Sequence, residues 1–267
     1  MVYREMTHTK YRSYLPPGCG CYSTPGPNAK RLGMETDMNA GTGWPFGGPM
    51  ISLENAATKA IFQEYTAQEG ERLRIAIEVE DPKQRGVASL NRLMAFSDKG
   101  KRIDITSKVK NNWLDWTVPP GNWRLIALFC GKTFQQVKRA APGGKGYVMD
   151  HFSGKAVKQY FATFEQAFRE NKVPYPHTFF NDSYEVYGAD WTPSLLTEFA
   201  HRRGYRLETT CRNFSIPFGR IRPPASSLTI GKHWRNFYWK TSPANGRNGR
   251  TGVEASPVTR HMVRQAT

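Results

Sequence analysis

The sequence predicts an α/β protein, and three observations carry that prediction. A short apolar strand, His177 to Phe180, runs into a polar cluster, Asn181, Asp182 and Glu185, and then into a helix opened by Thr192 and Pro193. Ahead of it, Ser153 caps a helix whose residues Val157, Tyr160, Phe161, Phe164 and Phe168 share one face. Earlier still, residues 73–80 alternate apolar and polar side chains as a half-buried strand does. Strand, polar cluster and helix in that order is how α/β enzymes present acids at the carboxyl ends of their strands. From spacing alone, the same loop reads first as one whose carboxylates cap a helix and face water.

Each element has its own signal. Residues 1–28 read as irregular, with Pro16-Pro17-Gly18 and Pro25-Gly26-Pro27 and no periodicity. Ala29 to Leu32 reads as the end of a helix with Gly33 behind it. Met34, Thr36 and Met38 then alternate against Glu35, Asp37 and Asn39, which predicts a strand. The loop from Ala40 to Pro49 follows, stiff at its prolines and permissive at its glycines. Its Gly41-Thr42-Gly43 is no phosphate loop, because neither Lys-Ser/Thr nor a further spaced glycine follows. Asp37 and Asn39, with Trp44 nearby, form a second candidate ligand-facing group.

The stretch 51–133 reads as a helix, Leu53 to Gln68, followed by a small antiparallel β unit. Its last two strands, Trp113 to Val118 and Trp123 to Cys130, are expected to form a hairpin about Pro119-Pro120-Gly121-Asn122. Trp113, Trp116 and Trp123 are expected in its core. Lys138 and Arg139 could clamp an anion, pair with acids or be solvated. Asp150 and His151 sit just ahead of the Ser153 cap, and His151 reads as a hydrogen-bonded structural residue, with base or ligand as alternatives. Asp190 adds a carboxylate before a helix from Pro193 to Arg203 that Gly204 ends.

Composition narrows the class. The net charge is +16, but residues 209–267 hold ten Lys and Arg against Glu254 alone. That tail has neither zinc-finger spacing nor a clear basic helix, so no nucleic-acid partner is expected. Cys19 and Cys21 are too close for a metal knuckle, and Cys130 and Cys211 complete no second pair, so neither zinc nor a disulfide framework is expected. No apolar run approaches a membrane span, and the first residues lack the apolar core of a signal peptide. Taken literally, the chain would stay in the cytoplasm.

Several motifs in order then carry a resemblance. Leu32-Gly33-Met34-Glu35, Gly41 to Pro49, Val137 to Gly144, Met149-Asp150-His151-Phe152 and Phe179 to Pro193 together resemble the family-106 glycoside hydrolases, the α-L-rhamnosidase-like enzymes. The resemblance covers about residues 29–208. It implies a fragment of a longer secreted or periplasmic enzyme with a (β/α)8-type barrel. Residues 29–50 and 134–208 would be part of that barrel, and 51–133 an inserted unit. The implied activity is cleavage of terminal α-L-rhamnosyl linkages with inversion, by carboxylates and with calcium. Within it, Glu185 and Asp182 are the catalytic candidates, while Asp37, Asn39, Trp44, Asp150, His151 and Asn181 line the substrate. Glu185 could instead be a calcium ligand, and Asn181 and Asp182 suit oxygen coordination of a hard cation. Which carboxylate is acid and which is base stays open.

Both ends depart from the family. Permitted codons for Leu228 to Gly249, read two nucleotides later, can encode a capped amphipathic helix, and Pro17 to Pro27 can be shifted in the same way. Residues 1–28 and 209–267 are therefore expected to be out of frame. A fragment without a closed barrel would be inactive. The alternatives are a carbohydrate-binding fragment, an acidic-polymer binder through the tail, or a product without function.

Overall fold

The computed structural model describes residues 25–35, 37–39, 41–172, 177–180 and 185–210. In chain order these hold α1 (Pro25–Arg31), β1 (Asp37–Asn39), β2 (Gly47–Gly48), β3 (Thr58–Ala67), β4 (Arg72–Ala76), β5 (Ser89–Ser97), β6 (Arg102–Asp104) and β7 (Val109–Lys110). β8 (Trp113–Thr117), β9 (Trp123–Lys132), β10 (Tyr147–Val148), α2 (Gly154–Glu170), β11 (Thr178–Phe180), α3 (Leu195–Arg203) and α4 (Leu207–Thr210) follow. They fall into two compact units. One takes residues up to Ala57 with Phe134–Tyr187, the other Thr58–Thr133 with the described residues from Gly188 onward.

The α/β prediction is corrected here. The protein is β-rich, its strands lie mostly in antiparallel sheets, and no (β/α)8 barrel closes among the described residues. Only β1 and β11 pair in parallel among them. The reason lies in residues 58–132, where half-buried alternation builds antiparallel ladders rather than the doubly buried strands of a parallel sheet.

The second unit is a two-sheet sandwich. β3-β9-β5-β6 form one sheet and β4-β8-β7 the other, and the buried faces of both enter one core with Leu73, Leu93, Leu114, Trp116, Leu125 and Phe129. β8 shows why. Leu114 and Trp116 are buried, while Trp113, Asp115 and Thr117 are exposed. Trp113 thus lies outside the expected core, 58% exposed, whereas Trp116 and Trp123 meet edge to face at 5.8 Å inside it. β9 lies between β3 and β5 and is buried along almost its whole length.

Two local expectations fail for the same reason. The helix predicted over Leu53 to Gln68 is a single 3-10 turn, Leu53–Asn55, followed by β3, which pairs with β9 from Thr58↔Lys132 to Ala67↔Trp123. Ala56, Ala57, Ala60, Ile61 and Tyr65 imitate a helical stripe, but ten ladder pairs with β9 outweigh that weak propensity. The expected hairpin is a crossing between sheets, since β8 pairs with β4 and β7 and β9 with β3 and β5. Gln84 supports the end of β9 by mimicking a strand. Its Nε2 donates to the Lys132 carbonyl at 2.8 Å and its Oε1 accepts from the Lys132 N–H at 2.9 Å.

The first unit packs α2 against the loop after β1. Phe46, Ile51, Met149, Val157, Tyr160, Phe164 and Phe168 form its core, with Phe46 stacked on Tyr160 at 5.8 Å. α2 begins where expected, the Ser153 hydroxyl accepting from the Ala156 N–H at 3.2 Å. α1 also ends as expected, with Gly33 at φ 70°. It extends back to Pro25, inside the segment expected to be irregular. α3 starts two residues late, with Ser194 rather than Thr192 as its cap residue, and ends at Gly204. The remaining residues of the two ends expected to be out of frame, 1–24 and 211–267, lie outside the described residues.

Candidate active site

The site belongs to the first unit and is built from three loops. β1 and β11 run in parallel with Asn39 opposite Phe180, so both strands finish at the same end. The loop after β1 carries Trp44, whose Trp44–Pro45 peptide is cis. It is stitched to the segment before β10, because Trp44 and Lys138 form an antiparallel bridge with paired backbone bonds of 3.2 and 2.9 Å. Gly43 permits this approach, since a Cβ there would lie 2.5 Å from the Lys138 carbonyl oxygen and 2.8 Å from Val137 Cγ1. Thr42 adds a third tie, its hydroxyl donating to the Gly144 carbonyl at 2.9 Å.

Onto this framework the acidic segment is clamped. Gln135 donates through Nε2 to the Glu185 carbonyl at 2.8 Å and accepts through Oε1 from the Tyr187 N–H at 2.6 Å. The Tyr187 hydroxyl donates to Glu185 Oε2 at 2.9 Å. Lys138 Nζ lies 3.1 Å from that hydroxyl, 4.2 Å from the centre of the Tyr187 ring and 5.1 Å from that of Trp44. An ammonium between two aromatic rings gains from both quadrupoles. The result is an exposed carboxylate beside an amphipathic aromatic surface, a combination suited to a sugar: ring faces for C–H contacts, and an acid for hydroxyls or a glycosidic oxygen.

The expected site residues divide accordingly. Glu185 and Trp44 come together through Tyr187 and Lys138. Asn39 is exposed at the end of β1, and its Oδ1 accepts from the Gly41 N–H at 2.6 Å, shaping the loop toward Trp44. Asp37 contributes backbone to β1. Asp150 is buried, and its Oδ1 accepts from the Phe152 N–H at 2.9 Å, so it serves the turn into α2. His151 is buried as well, and the cost of burying its charged form lowers its pKa to about 4, against a smaller opposing contribution from the Met149 backbone. That suits a neutral, packed imidazole. Asn181 and Asp182 lie outside the described residues. Asp190, in the second unit, accepts at Oδ1 from the Ala60 N–H at 2.8 Å; its residue is exposed, yet desolvation of the carboxyl raises its pKa.

Tyr187 and Gln135 were not singled out from sequence. Tyr187 stands two residues after Glu185 in the 179–193 motif, at the start of a turn. Gln135 carried no local signal. Among the described residues Lys138 pairs with no acid directly; its partner is a phenol. For calcium, no group of three or more His, Cys, Asp or Glu among the described residues is arranged to hold a metal ion.

Residues 91–210 match the family-106 glycoside hydrolase model, described as alpha-L-rhamnosidase, a stretch that includes the 137–144, 149–152 and 179–193 motifs but not those at 32–49. Across that stretch the chain is similar to the rhamnosidase-like glycoside hydrolases. A protein of Formosa agariphila named "Putative beta-glucuronidase" is 27% identical over 221 residues, which is 67% of this chain and 19% of that protein. The solved rhamnosidase of Novosphingobium sp. PP1Y is similar in structure, the match covering 92% of this chain and 40% of its own with a TM-score of 0.58 and 14% identity. The chain therefore spans less than half the length of either. Among the described residues, no helix is long and apolar enough to cross a membrane.

Proposed function

We propose that this chain carries one carboxyl group of the acid/base pair of an inverting α-L-rhamnosidase, and that this group is Glu185. Hydrolysis of a glycoside passes through an oxocarbenium-like transition state, in which one carboxyl protonates the departing oxygen while another activates water on the opposite face. Asp182, three residues before Glu185, is the nearest candidate for a supporting acid. The substrate class is a terminal α-L-rhamnosyl group, with Trp44 and Tyr187 offering apolar surface to it. The family likeness supports a secreted or periplasmic address.

The observation that carries this reading is the fixed carboxyl. Glu185 is exposed, yet its backbone is held by Gln135 and its Oε2 by Tyr187, and Oε1 makes no hydrogen bond among the described residues. An acid placed on the surface only for solubility needs no such support. Contrary to the inactivity expected of a fragment without a closed barrel, we expect the full chain to release rhamnose from an aryl α-L-rhamnoside, because Glu185 and its supports lie within one unit, and Glu185→Gln to lower that release by about a hundredfold or more. Equal release from wild type and Glu185→Gln would reject the assignment, and no release from wild type would reject a hydrolase role for this chain.

A further inference from the structure

We propose that Tyr187 and Lys138 are positioning residues that fix the orientation of the Glu185 carboxyl; the inference rests on the hydrolase reading of that site. A lysine ammonium has only hydrogens to donate, whereas a phenol can donate or accept. With Lys138 Nζ 3.1 Å from the Tyr187 oxygen, that oxygen is the acceptor, and the phenolic hydrogen is directed along the other contact, 2.9 Å to Glu185 Oε2. An isolated exposed tyrosine could rotate its hydroxyl to water. Lys138 removes that freedom, so the tyrosine always presents its donor to the acid.

Lys138 can do this because it is itself held. Its backbone is bridged to Trp44, and its ammonium lies over both the Trp44 and Tyr187 rings. Gln135, three residues earlier on the same segment, fixes the backbone at both Glu185 and Tyr187. The order of support therefore runs from the 44/138 bridge through the ammonium and the phenol to one carboxyl oxygen, leaving Oε1 for the sugar. Misplacement of a reacting group by about an ångström costs roughly a hundredfold in rate. The benefit of this support should therefore appear in kcat rather than in substrate affinity.

The test is steady-state kinetics of the full chain on an aryl α-L-rhamnoside. Tyr187 is 59% exposed, so Tyr187→Phe removes the hydroxyl without disturbing a core. We expect kcat to fall by about tenfold to a hundredfold with KM within about twofold. Lys138→Met should lower kcat similarly, and Lys138→Arg, which keeps a donor cation, should recover most of it. Lys155→Met, which breaks an exposed pair with Glu54 in the same unit, serves as the control and should leave kcat unchanged. If the wild type is active and both Tyr187→Phe and Lys138→Met retain its kcat, the inference is overturned while the hydrolase reading stands. If the wild type releases no rhamnose, the hydrolase reading falls and takes the inference with it.

Discussion

His151 shows how one buried side chain sets a pH limit. Its pKa falls from 6.5 in the unfolded chain to about 4 when folded, because burial penalises the imidazolium. Between those values the unfolded chain takes up a proton that the folded chain does not, so stability declines as the pH drops from 6.5 and levels off below about 4. The full loss is roughly 3 kcal/mol. Urea unfolding of wild type and His151→Gln from about pH 7 to about pH 4 measures it: the acid loss should be smaller in the variant, and identical slopes would contradict the assignment. At this scale the sequence was partly legible. Glu185, Trp44 and Lys138 stood in motifs whose residue types announce polar and aromatic chemistry. Gln135 did not, because its role depends on two backbone groups fifty residues away that only the fold brings within reach.

At the scale of elements, what local chemistry decides was readable and what pairing decides was not. α2 was visible because its cap and its apolar face are both written within seventeen residues. Replacing Ser153 with Ala should cost about 1 kcal/mol, read from the urea midpoint, since the Ala156 N–H loses its acceptor. An unchanged midpoint would mean that water or a neighbour replaces the hydroxyl. β3 was read as a helix because Ala56, Ala57, Ala60, Ile61 and Tyr65 fall at helical spacing, while its real determinant, β9, lies some sixty residues further on. The parting of β8 and β9 into different sheets was hidden likewise, since a proline-rich turn signals a reversal but not which sheet receives the returning strand.

At the scale of the whole molecule, each of the two units has its own hydrophobic core, one around Leu93, Leu114 and Leu125, the other around Tyr160, Phe164 and Phe168. Calorimetry should therefore resolve two transitions. Leu114→Ala, with a buried leucine worth about 2–5 kcal/mol, should lower only one of them, and Phe168→Ala only the other. A single transition displaced equally by both variants would show that the cores melt as one. The α/β class was misjudged at this scale because β-strands outnumbered the signals that parallel crossovers require. The order of strands along the chain has one more consequence. All seven sandwich strands have been synthesised by Lys132, whereas Glu185, Tyr187 and the clamp from Gln135 come later. All strands of the sandwich could thus be present while the loop carrying Glu185 was still being translated, and premature termination before Tyr187 would leave them without the clamp proposed around that carboxyl.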